Sequence, residues 1–211
     1  EFQNIEPFKN IYVHALVRAE TGQNMSKSKG NVIDPLELIE KYSADALRFT
    51  LLSMASPGRD VKLSEDRVKG YRNFLNKIWN ANNFLIQNDC KFENIETPND
   101  LKLNINKWIF VEFTNTNEKI KKSIDSYRFD EAARIAYQFV WHSFCDWYLE
   151  LSKTVFYSEN NENIEETRNV ASFIFSQILV ILHPFIPFLT EEIWLKNKLD
   201  KDGKDFLMLK N

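Results

Sequence analysis

The sequence predicts a mainly α-helical protein in which a short α/β segment leads into an α-helical bundle. Three observations predict it. A β-branched apolar run near the start reads as a strand. Four long stretches farther on repeat apolar residues every three or four positions, and the connections between them are short and polar.

Ile11-Tyr12-Val13-His14-Ala15-Leu16-Val17 is apolar on both faces, as a buried strand of a larger sheet would be. Thr21-Gly22 turns the chain, and a polar loop follows from Asn24 to Asn31. Asp34-Pro35-Leu36-Glu37 supplies an N-cap, a first-turn proline and an acidic third position, so a helix starts there and ends near Tyr42. Ser43 opens a second helix, Ala44 to about Met54, which Ser56-Pro57-Gly58 breaks. Ser64 is expected to cap a long helix with Glu65 and Asp66 in its first turn. Its apolar stripe runs Val68, Tyr71, Leu75, Ile78, Trp79 and Leu85. The stretch 88–104 holds Pro98 and little periodicity, and reads as a linker. Helical spacing resumes through Ile105, Trp108, Ile109, Phe113, Ile120 and Ile124. A third long helix follows Asp130 almost to Tyr157, and a fourth runs from about Ile164 to Leu182. His183-Pro184-Phe185-Ile186-Pro187 breaks the chain before a final short helix at Thr190 to Trp194. No internal repeat is present.

Composition narrows the class. With 44% hydrophobic and 27% charged residues over 211 positions, the chain can bury a sizeable core as one large or two modest domains, and disorder is excluded over most of its length. The apolar run from Phe173 to Leu182 is too short to cross a membrane, no signal peptide opens the chain, and no membrane partner is expected. Cys90 and Cys145, far apart, read as buried thiols of a reducing, cytoplasmic compartment. The net charge of −3 argues against a generic nucleic-acid binder. Between Met25 and Asn80, however, ten Lys or Arg stand against seven Asp or Glu, so a polyanion would bind the first half. Because the chain starts at Glu1 rather than a methionine, it is expected to be a piece of a longer protein.

The run with chemical content is Gly22-Gln23-Asn24-Met25-Ser26-Lys27-Ser28-Lys29-Gly30-Asn31-Val32-Ile33-Asp34-Pro35. Small hydroxyl residues and glycine let a loop approach phosphates closely. Two lysines on flexible stems bring positive charge to where an α-phosphate and a departing pyrophosphate gather negative charge. This run resembles the Lys-Met-Ser-Lys-Ser loop of class I aminoacyl-tRNA synthetases. A bare Ser-Lys-Ser-Lys-Gly would read as a solvated loop. The strand before it, the helix cap after it and the fourteen-residue match favour the phosphate reading. The resemblance implies an ATP-binding loop of Asn24, Met25, Ser26, Lys27 and Ser28. Asn24 stands where the family has its first lysine, so the α-phosphate role passes to Lys27 alone as the catalytic residue. Whether Lys29 replaces the missing charge stays open.

Later segments resemble the valine members of that family. Asp45-Ala46-Leu47-Arg48-Phe49-Thr50-Leu51 is shared with the isoleucine and leucine members. The segments 55–64, 72–81, 139–150 and 182–194 are similar to the valine form. Only 88–104 and the last dozen residues lack the likeness. The resemblance implies that residues 1–63 are the end of a Rossmann-type catalytic domain with a stem-contact region, and 64–211 a helical-bundle anticodon-binding domain. It implies a parent enzyme, expected to be a monomer, that uses ATP and Mg²⁺ to activate valine and load it on valine tRNA. The His-Ile-Gly-His half of the ATP site is absent from this sequence, so the fragment alone is expected to be inactive. A fragment of an isoleucine or leucine tRNA ligase, or a non-catalytic RNA-binding helical module, are the competing readings.

Phe84 lies about 160° around its helix from Val68, off the main apolar stripe and flanked by Asn82, Asn83 and Gln87. A solvent-facing ring there would stack on an anticodon base, and burial against a neighbouring helix is the competing reading. The resemblance, in which this helix approaches the anticodon, favours contact. Arg67 and Arg72 are candidates for tRNA phosphates, although exposed arginines more often only solvate a face. Lys119, Lys121, Lys122 and Arg128 form a basic cluster for which a solvated face is favoured over a tRNA stem. Trp141, Phe144, Trp147, Tyr148 and Leu151 read as bundle core. His142 and Cys145 lack further partners for a tetrahedral set, so no metal site is expected. Asp146 and Glu150 are expected to pair with nearby bases, and His183 to cap helix carbonyls.

Overall fold

The computed structural model describes residues 7–93, 95–199 and 206–209. Two strands, β1 (Val17–Arg18) and β2 (Val61–Lys62), pair in parallel, with Val17 opposite Val61. Between them the chain forms a 3₁₀ turn (Lys27–Lys29), α1 (Pro35–Tyr42) and α2 (Ala44–Met54). Then come α3 (Glu65–Gln87), α4 (Asn104–Asp125) and α5 (Phe129–Gln138). A π-helical stretch (Phe139–Tyr148) continues α5 without a break into α6 (Leu149–Phe156). The chain ends with α7 (Asn161–Leu182), α8 (Pro187–Lys196) and a 3₁₀ turn (Leu207–Leu209).

The local reasons are visible at the helix starts. Asp34 accepts from the Leu36 amide at 2.8 Å and Pro35 occupies the first turn of α1. Ser43, at φ 98°, accepts from Ala46 N at 3.3 Å and starts α2 at a sharp corner. Ser64 precedes α3 as expected, but its hydroxyl makes no cap bond and the residue is buried instead.

One continuous core fills the space between helices. Phe49 and Val68, Phe74, Ile78 and Leu85 meet Phe144, Tyr148, Ile174, Ile178 and Leu182, all without solvent exposure. α2 packs on both α3 and α5, so the α1–α2 unit sits on the flank of the bundle. A buried polar network threads this core. Tyr148 donates to Asn106 Oδ1 at 2.9 Å, and Asn106 Nδ2 donates to Glu166 at 2.9 Å. Glu166 also accepts from the Lys102 and Leu103 amides at 2.8 and 3.0 Å, satisfying donors at the start of α4 from another helix.

Two expectations fail here. The run Ile11–Val17 is not a buried strand: only Val17 and Arg18 pair, and Ile11 is 85% exposed. A strand hides both faces only between neighbours, and the described residues offer β2 alone. Trp147, at 62% exposure, and Leu151 are not core either, whereas Phe144 and Tyr148 are fully buried. The buried pairs Phe139-Val140, Phe144-Cys145 and Tyr148-Leu149 recur at five and then four residues, a wider turn than 3.6. The Leu149 amide accordingly bonds Phe144 O. That register rotates Trp147 outward.

Candidate functional site

The loop after β1 is fastened at its neck and bare at its tip. Gly22, at φ 83°, donates to Ala19 O at 2.7 Å, and a Cβ there would stand 3.2 Å from Lys62 Cε, so the turn needs glycine. Asn31 bridges the two sides. Its Oδ1 accepts from Ser26 N at 2.9 Å and its Nδ2 donates to Asn24 O at 3.2 Å. Arg18 donates to the Asn24 side chain and pairs with Asp60, tying the loop to β2. Half-buried Met25 packs against the core. Beyond that anchor, Ser26 Oγ accepts from Lys29 N at 3.3 Å and contacts Ser28 Oγ at 3.0 Å, while Gly30 closes the turn at φ 63°. Lys27, Ser28 and Lys29 are exposed, and neither lysine has an ion pair among the described residues. Two solvated ammonium groups on a tethered loop are suited to meet a polyphosphate and to move with it.

Arg67, Arg72 and Phe84 share α3 but not a site. Arg67 is exposed in the first turn beside Glu65 and Asp66. Arg72 lines a groove of about 460 Å³ between α3 and α8 with Asn76, Trp79, Phe188 and Leu189. Phe84 faces α6 instead. Its ring lies 6.2 Å from that of Phe156, and the Lys153 ammonium stands 5.7 Å from its centroid. It is half-buried rather than solvent-facing, because α6 packs beside it. The neighbouring Asn82 is buried, accepting from Asn197 Nδ2 at 2.6 Å.

A clasp joins the loop-bearing unit to the end of the bundle. Asp45 on α2 is buried and accepts from the Phe188 and Leu189 amides at 3.3 and 2.7 Å, capping α8. Arg48, one turn on, donates to Pro184 O at 3.1 Å. Burial pushes the Asp45 carboxyl above its usual range, against the pull of the two amides. His183 does not cap carbonyls as expected. Its Nδ1 lies 2.8 Å from Thr190 Oγ1, whose own proton goes to Ile186 O at 2.9 Å. With the Thr190 proton on a carbonyl, Nδ1 is the donor to Thr190, and Nε2 is buried with no hydrogen-bond partner among the described residues. Burial accordingly lowers the His183 pKa. No signal in the sequence links positions 45 and 189, because the clasp is a contact between segments far apart in the chain.

The acidic groups and thiols of the π-helical stretch and its surroundings are paired or buried. Asp146 pairs with Lys77 and lies 3.1 Å from His142 Nδ1, which lowers its pKa through the Lys77 bond first. Glu150 pairs with Lys153 at 2.7 Å. Burial pushes the Cys90 and Cys145 thiols up to about 12, so both stay protonated and unreactive. No group of three or more His, Cys, Asp or Glu side chains among the described residues is placed to hold a metal ion.

Residues 106–211, half of the chain, match the family model described as the anticodon-binding domain of tRNA ligase. The chain belongs to that family. Residues 1–64 match the family model of class I tRNA synthetases (I, L, M and V), a family that uses ATP. The chain is 69% identical over all 211 residues to a valine–tRNA ligase of Pelagibacter ubique, and covers 24% of that protein. It is 53% identical over 207 residues, 98% of the chain, to a valine–tRNA ligase of Mesorhizobium japonicum, covering 22% of it. The chain thus spans about a quarter of the length of these curated relatives. Among solved structures it is similar to an Agrobacterium radiobacter LeuRS in ternary complex with tRNA and LeuAMS. There the TM-score is 0.71 at 20% identity, over 96% of this chain and 24% of that one. It is also similar to a Mycobacterium tuberculosis methionyl-tRNA synthetase with methionyl-adenylate, at TM-score 0.68 and 18% identity, over 85% and 36%. At those identities the likeness shows the fold, a tRNA ligase's helical bundle behind a short sheet.

Proposed function

We propose that this chain is the part of a valine–tRNA ligase that presents the ATP-phosphate loop, in residues 1–63, and recognises the anticodon, in residues 64–211. The observation that carries the proposal is the exposed Lys27, without an ion pair among the described residues, at the tip of a loop stapled by Asn31 and Arg18, just ahead of α1. The similarity of the chain to valine ligases over all or nearly all of its length supports valine over isoleucine or leucine. Lys27 acts as an electrostatic catalyst. When the valine carboxylate attacks the α-phosphorus of ATP, its ammonium neutralises charge on the phosphoryl oxygens and on the departing pyrophosphate. Asn24, Met25, Ser26 and Ser28 hold the loop's shape around it. Mg²⁺ has no protein-built site among the described residues and enters with the nucleotide's phosphates. The partner is valine tRNA, with Arg67 and Arg72 on its phosphates and Phe84, steadied by Lys153, against an anticodon base. A cytoplasmic setting is consistent with two buried, protonated thiols, and the parent enzyme is read as a monomer.

In the full-length protein, Lys27→Ala should slow valine-dependent pyrophosphate exchange by about 10²-fold, the scale of losing one transition-state donor, while valine affinity stays put. An unchanged exchange rate refutes the assignment. Phe84→Ala should shrink the affinity gap between valine tRNA and an anticodon-altered tRNA, and an unchanged gap removes Phe84 from recognition.

A further inference from the structure

A second polar surface lies away from α3. The C-terminal half of α4, the turn after it, α5 and the start of the π-helical stretch enclose a cleft of about 790 Å³ that opens to solvent. Four cations, Lys119, Lys122, Arg128 and Arg134, line it against two carboxylates, Glu112 and Glu131, in a chain whose overall charge is negative. The cations are not equivalent. Arg128 is committed to Asp130, at 3.2 Å, and Arg134 holds Glu131 loosely, at 3.6 Å. Lys119 and Lys122 are exposed and have no ion pair among the described residues. They stand three residues apart on one helix face, a like-charge arrangement that weakens a helix when nothing neutralises it. Lys122 sits in the last turn of α4, where it complements the helix's negative end; Lys119, a turn earlier, has no such role.

The same seam continues toward the other end of α4 with a different chemistry. The Tyr148–Asn106 hydrogen bond and the Phe113–Phe139 ring contact at 5.8 Å fix α4 antiparallel to the π-helical stretch. Trp108 belongs to α4 and Trp147 to the π-helical stretch, the two elements this seam joins, and both are exposed, Trp147 at 62%. Unneutralised lysines followed by exposed aromatic rings are the pairing that binds a nucleic-acid strand, with phosphates on the cations and bases on the ring faces.

We infer that the α4–α5 cleft and the tryptophan-flanked seam beyond it form a second RNA-binding surface. It takes the phosphodiester backbone of a tRNA strand on Lys119, Lys122 and Arg134, and an unpaired base on Trp147. This rests on the chain being a tRNA binder, but not on how α3 reads the anticodon. The occupant follows from charge complementarity and from the cleft's size and openness, which exceed the needs of a single small anion.

The test uses the full-length protein and a valine tRNA transcript over a series of salt concentrations. Lys119→Ala with Lys122→Ala should weaken binding about tenfold at low salt and flatten the slope of log Kd against log salt by about 1.5, the loss of two phosphate contacts. Lys119→Arg with Lys122→Arg should keep the slope. Trp147→Ala should weaken binding several-fold without changing the slope, which separates stacking from charge. Discrimination against an anticodon-altered tRNA should survive in all three. Unchanged affinity and slope in the double alanine variant overturn the inference. Loss of discrimination in that variant overturns it as well, by placing the anticodon itself in the cleft. Because all three residues are exposed, the folded helix content by circular dichroism should match the parent's. Failure of the α3 reading shows separately, as an anticodon preference indifferent to Phe84→Ala.

Discussion

The loop that carries Lys27 and the helices that carry Phe144 and Tyr148 are held in opposite ways. From residue 7 to residue 37 only Ala19 is buried, and the loop keeps its shape through side-chain bonds from Asn31, Arg18 and Ser26. The bundle keeps its shape by burial, with rings and aliphatic chains wholly out of water from α2 to α7. A cation meant to meet phosphates must stay solvated and mobile, so its position depends on a few polar staples that cost little to break. The bundle's helices are fixed relative to one another by close packing, which leaves them little freedom to shift.

The sharpest way to break this contrast is in the π-helical stretch. Phe144→Ala should cost about 3–5 kcal/mol in urea unfolding, the usual loss for a fully buried ring, and leave loop accessibility unchanged. A loss below about 1 kcal/mol would mean that the bundle does not depend on that register. Glu166 comes next. Burial would raise its carboxyl, yet the bonds from Asn106, Leu103 and Lys102 outweigh burial and hold it below its ordinary 4.5. A carboxylate lowered in the folded state stabilises above its unfolded pKa and stops doing so as pH falls. The parent should therefore lose stability as pH drops below 4.5, and Glu166→Gln should flatten that slope after an initial cost of about 1–3 kcal/mol. Equal slopes in the two proteins would contradict the network. The smallest expected effect is in the loop. Asn31→Ala should change global stability by no more than about 1 kcal/mol, yet speed tryptic cleavage after Lys27 and Lys29 several-fold. Unaltered cleavage would mean that Asn31 does not hold the loop.

Much of this was legible because helices declare themselves locally. The caps at Asp34 and Ser43, and the three-and-four stripes of α3, α4 and α7, are patterns within one turn of chain. What escaped was of two kinds. The stretch 139–148 follows a wider helical period, so a reading at 3.6 residues per turn put Trp147 and Leu151 inside when they face water. The rest depends on partners remote in sequence. Glu166 reaches the start of α4, Asp45 reaches α8, and Lys153 comes beside Phe84 only once the bundle has assembled. The lysine-bearing loop was recognisable from its residues, but its fastening by Arg18 and Asn31 was not, since both bonds depend on how the chain returns through β2 and the turn before α1.

The Asp45 clasp also carries a consequence for how the molecule assembles. Its two ends are separated by more than a hundred and forty residues, and nearly all of the bundle lies between them. Closing so long a loop costs less once the intervening helices have docked, so the clasp is expected to form late, on the native side of the folding barrier. Weakening it would leave the refolding rate nearly untouched and hasten unfolding instead, making this contact a brake on opening rather than a guide to the native state.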